Sequence, residues 1–382
     1  MSAAVGYYFL YKSLVIIMNP RIIQINKRSK LIQILRIFFL IAIILFFVSW
    51  HIKIIFVYIL FMVLRRHIPS HNENKKIINR GMFILFFTSF LFVFPNRTSD
   101  SDDYIQSIYF DINTSNKIKA PFIPYLFNFI GEGDLMAIVS LASYFTPENY
   151  LKGSAVGDII KYNKNTYFVN NNFHRFYRKM EPKKTPPHNI PFQIMQDMGY
   201  YNNISHYYLH VPNTKNLQDK EVIVFCHGYA GNWLLYPELF AKYTNAIIIA
   251  VETPSFSGYF SKKTMTNIIN KVLPHAYEQV GISYKKPHLA GLSNGGSAIN
   301  TSIISYANKF KSFTILSASL KNTPRTNLKV NIIYGTNDRS GGVNNKISKS
   351  KYIRHLIKGE DHSLMVARPD TIFQLINKII NQ

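Results

Sequence analysis

Five residues constrain this chain more than any others: Gly291-Leu292-Ser293-Asn294-Gly295, set between the apolar run Pro287 to Ala290 and a helical pattern from Ser297 onward. A Gly-x-Ser-x-Gly between a strand and a helix implies a turn so tight that its central residue sits in a strained backbone conformation with its side chain exposed. Only very small residues fit two positions to either side, because strand and helix backbones nearly touch there. A hydroxyl at the tip of such a turn is placed for nucleophilic attack. The motif has this meaning only if the surrounding sequence builds the sheet and helices that the turn requires.

It does so from His206 onward, where short apolar runs alternate with helical patterns, the signature of a mostly parallel sheet flanked by helices. The strands expected are His206–Val211, Glu221–Cys226, Ala246–Val251, Pro287–Ala290, Phe313–Ser317, Val330–Tyr334 and Tyr352–Ile357. Helices are expected near Tyr236–Lys242, Met265–Val280 and Ser297–Lys309, with a last one after Pro369. In such sheets the working residues lie beyond the carboxyl ends of the strands. After Cys226 comes His227-Gly228-Tyr229-Ala230-Gly231-Asn232, a turn that can face a backbone N–H toward a reacting carbonyl. After Val251 comes Glu252 to Gly258, which shapes a pocket wall. After Tyr334 comes Gly335-Thr336-Asn337-Asp338-Arg339, and past the last strand Gly359-Glu360-Asp361-His362-Ser363. Ser293, Asp338 and His362 thus arrive in that order, each just beyond a strand terminus.

These motifs, His-Gly after an early strand, Gly-x-Ser-x-Gly, Gly-Thr-x-Asp and a late Asp-His, resemble those of the α/β-hydrolase superfamily, its serine esterases and lipases in particular. The resemblance covers roughly residues 201–382, about half the chain. Ser293 is a weak nucleophile at its free pKa and needs a base within hydrogen-bond reach. His362, on a loop, is the better candidate; His355 falls inside the last expected strand. The imidazole needs a carboxylate to fix its tautomer and stabilise the imidazolium. Some α/β-hydrolases take that acid from the preceding strand, but Ser319 to Lys329 contains no Asp or Glu, which leaves Asp338. Glu360 and Asp361 sit too near His362 in the chain and shape its loop instead. The resemblance further implies an oxyanion hole of two backbone N–H groups. One belongs to Asn294 and one follows the His-Gly turn, from Tyr229 or Ala230, with Tyr229 preferred. Gly228, Gly291 and Gly295 are the turn and elbow glycines. The segment Ser319 to Val330 has no insertion where many relatives carry a lid.

The first hundred residues are of another kind. Ile37 to Leu64 is a run of 28 residues broken only by the polar Ser49, His51 and Lys53 and bracketed by Arg36 and Arg65-Arg66. One tilted membrane helix needs about 20 apolar residues, so this run suffices for one span and not for two. Gly81 to Phe94 offers a second, shorter span. No small-residue cleavage site follows the first run, which argues against a removed signal peptide. Met18 opens a basic stretch that reads as an alternative start. The formal charge of +24 suggests nucleic acid, but residues 1–95 hold 12 lysines and arginines against the single acid Glu73, flanking the apolar runs. That placement suits anionic head groups. The rest of the basic charge is dispersed and carries no nucleic-acid-binding signature.

The expected organisation is therefore a membrane anchor over 1–98, an extension over 99–200 that caps the active site, and an α/β-hydrolase domain over 201–382. The Pro-rich stretch Pro182 to Pro191 marks the boundary. The lipid bilayer and a small ester or acyl lipid are the expected partners, with no nucleic acid. No cofactor is implied. Cys226, the sole cysteine, precludes an intramolecular disulfide and a cysteine-rich metal site, and His174 and His188 lack metal-ligand spacing. No metal is expected. The expected activity is hydrolysis of a carboxylic ester through an acyl-enzyme. Peptidase, thioesterase or acyltransferase chemistry on the same residues is the alternative, as is a membrane-tethered binding protein that has retired the scaffold's chemistry.

Overall fold

The computed structural model describes residues 105–119, 190–229, 231–255, 257–325, 327–362 and 364–382. Both apolar runs of the expected anchor, most of the expected cap, and His174 and His188 lie outside the described residues. Among the described residues no helix is long and apolar enough to cross a membrane.

The sheet begins earlier in the chain than the sequence suggests. Strands β1 (Gln106–Asp111) and β2 (Lys117–Ile118) form a hairpin, and α1 (Ile190–Asp197) leads into β3 (Ile204–His210). Next come β4 (Val222–Cys226), α2 (Leu235–Tyr243) and β5 (Ile247–Val251). Helix α3 (Lys262–Asn267), a π turn (Ile268–Val272) and α4 (Leu273–Val280) follow without a break. Then come β6 (His288–Leu292), α5 (Gly296–Ser305), β7 (Ser312–Leu316) and β8 (Ser319–Leu320). The chain closes with β9 (Val330–Gly335), β10 (Gly342–Val343), β11 (Tyr352–Ile357), α6 (Leu364–Ala367) and α7 (Pro369–Ile380).

Nine strands make one sheet in the order β11-β9-β7-β6-β4-β5-β3-β1-β2. From β11 to β5 all neighbours are parallel, whereas β3 runs antiparallel to both β5 and β1. This is a mostly parallel, helix-flanked sheet of the α/β-hydrolase-like kind. Every residue of β4, β5 and β6 is buried, as a parallel sheet covered on both faces demands. Phe225 of β4 packs on Phe240 of α2 with ring centroids 5.1 Å apart, and Phe240 meets Phe373 of α7 at 5.0 Å. On α5, Gly296 lies close against Ile315 of β7 and Ala318. The register aligns Ile315 with Gly291 and Cys226, one residue on from Phe225, so α2 and α5 cover opposite faces of the pleat.

Two stretches read as part of the 99–200 extension are built into this sheet. β1 pairs with β3 over six positions, from Gln106↔Leu209 to Asp111↔Ile204, so strand pairing crosses the boundary drawn at 200. Phe192 of α1 is buried against Tyr109 of β1, edge to face at 5.1 Å. Local pattern could not find this, because β1 is a short strand whose partner lies about a hundred residues away in the chain. Ile108, Tyr109 and Phe110 are consecutive and all buried, so the period-2 signal of a half-buried strand is missing as well.

Candidate active site

Strand β6 ends at Leu292 in an extended conformation (φ −98°, ψ 131°), and Ser293 follows with φ of 54°, in the left-handed region that a serine rarely occupies. The chain is helical again by Gly295. A Cβ on Gly291 would come within 2.3 Å of the Gly295 carbonyl oxygen, and one on Gly295 within 2.2 Å of that of Cys226. A Cβ on Gly228 would lie 3.0 Å from that of Ser293, so the His-Gly turn rests directly against the serine. The elbow is tied down from outside as well. Asn294 Nδ2 donates to the Ser257 carbonyl at 2.7 Å, Ser297 Oγ donates to Asn294 O at 2.6 Å, and the Phe260 N–H donates to Ser297 Oγ at 2.8 Å.

The loops after β9 and β11 bring the other two groups to the same end of the sheet. His362 Nε2 stands 2.9 Å from Ser293 Oγ, and His362 Nδ1 stands 3.2 and 3.3 Å from the two Asp338 oxygens. Burial would raise the pKa of the Asp338 carboxyl, but the hydrogen bond and charge of His362 and two hydrogen bonds from Ser340 outweigh it and hold that pKa below the usual value. The carboxylate therefore stays ionised beside the imidazole. Nδ1–H of His362 faces the acid, which leaves the Nε2 lone pair for the serine proton.

Ser340, which the sequence reading passed over, is wedged into this link. Its hydroxyl lies 2.9 Å from His362 Nδ1 and 2.6 Å from Asp338 Oδ1, and its N–H donates to Asp338 Oδ1 at 2.9 Å. Its single hydroxyl proton is shared between two acceptors, Asp338 Oδ1 and the Ser317 carbonyl oxygen, while a lone pair accepts from His362 Nδ1–H. Ser317, itself at φ of 48°, secures both loops by donating to His362 O and accepting from Ser340 Oγ. No motif marks Ser340; two residues beyond a candidate acid is its only signal.

The remaining residues singled out from the sequence sort themselves by location. Tyr229 follows Gly228 and Asn294 follows Ser293, so their N–H groups belong to the two backbones that flank the serine hydroxyl; Ala230 lies outside the described residues. Glu360 faces Arg368, with Oε1 2.8 Å from Nε, and takes no part in the acid–base link. His355 Nε2 stands 3.2 Å from Asn331 Oδ1, within the sheet. Cys226 is fully buried, and burial pushes its thiol pKa up, so it is an inert strand residue.

A second serine–histidine–carboxylate chain runs through the core: Ser107 Oγ to His206 Nε2 at 2.8 Å and His206 Nδ1 to Glu252 Oε2 at 2.8 Å. Ser107 lies within β1, paired with Tyr208 and without a left-handed turn, and His206 is buried against the ring of Tyr109, tilted at 42° with centroids 4.4 Å apart. Burial holds His206 neutral. This chain braces the antiparallel edge of the sheet. Hydrogen-bond distances alone do not distinguish it from the Ser293 site; the backbone does.

His227 is fully buried, and burial lowers its pKa to about 4. An unfolded histidine takes its proton near pH 6.5, so between 6.5 and 4 the unfolded chain binds a proton that the folded chain refuses. Stability is full above that window and falls as the pH drops through it, by about 2 kcal/mol from this residue at pH 5. The urea midpoint should accordingly fall between pH 7.5 and pH 5, and fall less in His227→Gln. Equal falls in both proteins would remove His227 from the account.

No protein-family model matches the chain, and no curated protein does. Solved structures do. A putative aryl esterase from Burkholderia cenocepacia is 10% identical with a TM-score of 0.35, over 46% of this chain and 94% of its own. A carboxylesterase from Bacillus subtilis is 12% identical with a TM-score of 0.31, over 45% of this chain and 86% of its own. An α/β-hydrolase from a Medee basin deep-sea metagenome is 12% identical with a TM-score of 0.35, over 47% and 95%. Each likeness spans less than half of this chain, at identities too low to carry an activity across.

Proposed function

We propose that this chain is a membrane-anchored serine hydrolase that cleaves a carboxylic ester through an acyl-enzyme on Ser293. The observation that carries the reading is the 2.9 Å hydrogen bond between Ser293 Oγ, on its left-handed turn, and His362 Nε2, with Asp338 on the far nitrogen. Ser293 Oγ attacks the ester carbonyl as His362 Nε2 takes its proton. The carbonyl oxygen becomes an oxyanion that accepts hydrogen bonds from the N–H groups of Asn294 and Tyr229. Breakdown expels the alcohol, which leaves with the proton returned from His362. Water then attacks the acyl-enzyme by the same route, with His362 again as base, and releases the acid and free Ser293. Asp338 stabilises the imidazolium in both halves without itself taking a proton.

The anchor over residues 1–98 and the run Ile37 to Leu64 favour a lipid-like ester, because a bilayer-tethered site meets lipophilic acyl groups at high local concentration. The reading is tested with a fluorophosphonate probe and p-nitrophenyl esters of increasing acyl length, on the detergent-solubilised full chain. Wild type should be labelled and show a chain-length optimum, and Ser293→Ala should show neither. A folded wild-type protein that takes no label would refute the reading in favour of a binding protein on a hydrolase scaffold. Extraction of the full chain from membranes by alkaline carbonate would refute the anchor separately.

A further inference from the structure

We propose that Gln193 is a positioning residue for the oxyanion-binding turn, acting through His227 on the Gly228–Tyr229 peptide. The proposal rests on the acyl-enzyme reading of Ser293 given above. Gln193 lies on α1, outside the span of the resemblance, and its side chain is fully buried. Its Nε2 is 3.1 Å from His227 Nε2 and 3.3 Å from the Thr253 carbonyl oxygen, and its Oε1 accepts from the Asn232 N–H at 2.8 Å. One amide thus joins the two loops that follow β4 and β5.

The proton inventory allows one consistent arrangement. His227 Nδ1 lies 2.7 Å from the Gly228 carbonyl oxygen, which can only accept, so the ring proton is on Nδ1. Nε2 then carries a lone pair and must meet donors. Those are the Gln193 amide and, more distantly, the Thr253 N–H at 3.4 Å. The orientation of the Gln193 amide is fixed at its other end, because the Asn232 N–H can only donate.

The consequence appears on the far side of the Gly228–Tyr229 bond. A trans peptide points its C=O and N–H in opposite directions. Holding Gly228 O inward against His227 therefore turns the Tyr229 N–H outward, on a backbone already in contact with Ser293. Gly258 closes the inner side: a Cβ there would sit 2.0 Å from Gly228 O, so the second loop packs on the same carbonyl. Removing the Gln193 donor leaves His227 Nε2 with only the long Thr253 contact. The opposite tautomer would then set a lone pair against Gly228 O and release the peptide. An oxyanion donor aimed from a released peptide is lost to the transition state and not to the ground state.

Gln193→Met is the sharper variant, since it keeps the length of the side chain and adds no charge while removing the donor to His227 and Thr253 along with the acceptor for Asn232. Gln193→Ala also empties the space. Each is compared with wild type in the full chain by ester kinetics, by the end-point titre of fluorophosphonate label, and by the infrared carbonyl band of the acyl-enzyme. The expected result is kcat lower by about 10- to 100-fold with KM within about threefold, an unchanged titre, and a carbonyl band moved to higher wavenumber. A kcat within twofold of wild type in folded Gln193→Met overturns the proposal. So does a loss of kcat matched by a loss of titre with the band unmoved, the mark of a purely structural role. Should Gln193→Ala fail to fold, Gln193→Met decides alone. Failure of the underlying hydrolase reading shows earlier and separately, as absence of label on wild type.

Discussion

His362→Ala is expected to lower kcat on a carboxylic ester by about 10⁴- to 10⁶-fold while leaving the thermal midpoint within a few degrees of wild type. The chemical loss is large because the 2.9 Å contact to Nε2 is the route by which the Ser293 proton leaves. The ring is only 14% exposed, so some packing is lost with it, but it belongs to a loop and not to the sheet core, and the chemical loss far exceeds the stability loss. Asp338→Asn should cost less. An asparagine can turn its amide so that a donor faces Nδ1, which favours the unproductive tautomer and typically costs about 10⁴. Here the Ser340 hydroxyl, 2.9 Å from Nδ1, still offers an acceptor that holds the productive tautomer. Initial rates on p-nitrophenyl butyrate, normalised to folded protein, separate the two variants. Retention of a tenth or more of wild-type kcat in His362→Ala would remove His362 from the role of base.

Gly295→Ala, by contrast, should damage the fold. Gly295 has φ of −61°, a conformation any residue accepts, so the cost is one of space. Its Cβ would lie 2.2 Å from Cys226 O and 2.6 Å from His227 O, both backbone atoms of the neighbouring strand and its loop. Backbone at the centre of a parallel sheet cannot yield by a rotamer change, so β4 and the elbow must separate. The expected loss is about 3 kcal/mol or more, read from urea unfolding, and activity should fall with it. Gly281→Ala is the matched control. There φ is 73° and nothing lies within 4 Å of the added Cβ, so only backbone strain of about 1–2 kcal/mol is expected. A smaller loss at Gly295 than at Gly281 would mean that the elbow is looser than these distances.

What could be read in advance divides along physical lines. The seven expected strands from His206 to Ile357 all occur, each within two residues of the expected ends, because each is an apolar-rich run closed by glycine or polar residues; β4, β5, β6 and β9 are buried throughout, whereas β11, at the sheet edge, has no fully buried residue. That Ser293, Asp338 and His362 meet at one end of the sheet was legible for a related reason: each lies just beyond a strand end, and the sequence offered few competitors of those residue types. The requirement for small residues at Gly228, Gly291 and Gly295 follows from the turn itself, and the close approaches there are its direct expression.

The parts that sequence could not give depend on contacts between distant segments. β1 finds its partner only once β3 is presented as an open antiparallel edge, so residues 106–118 looked like extension when read alone. Gln193 is an unremarkable residue on a short helix until folding sets it between the loops that follow two strands. Ser340 becomes part of the acid–base link through a distance to His362, 22 residues on in the chain. The Ser107–His206–Glu252 chain has the same serine–histidine–carboxylate order as the site itself, also at hydrogen-bond distances, and its place within a paired strand marks it as core. By itself the sequence determined the parallel sheet, the elbow and the order Ser, Asp, His, because hydrophobic period and steric size act over a few neighbouring residues. Only the tertiary structure decided which polar groups meet, because hydrogen bonds are set by positions in space that chain spacing does not encode.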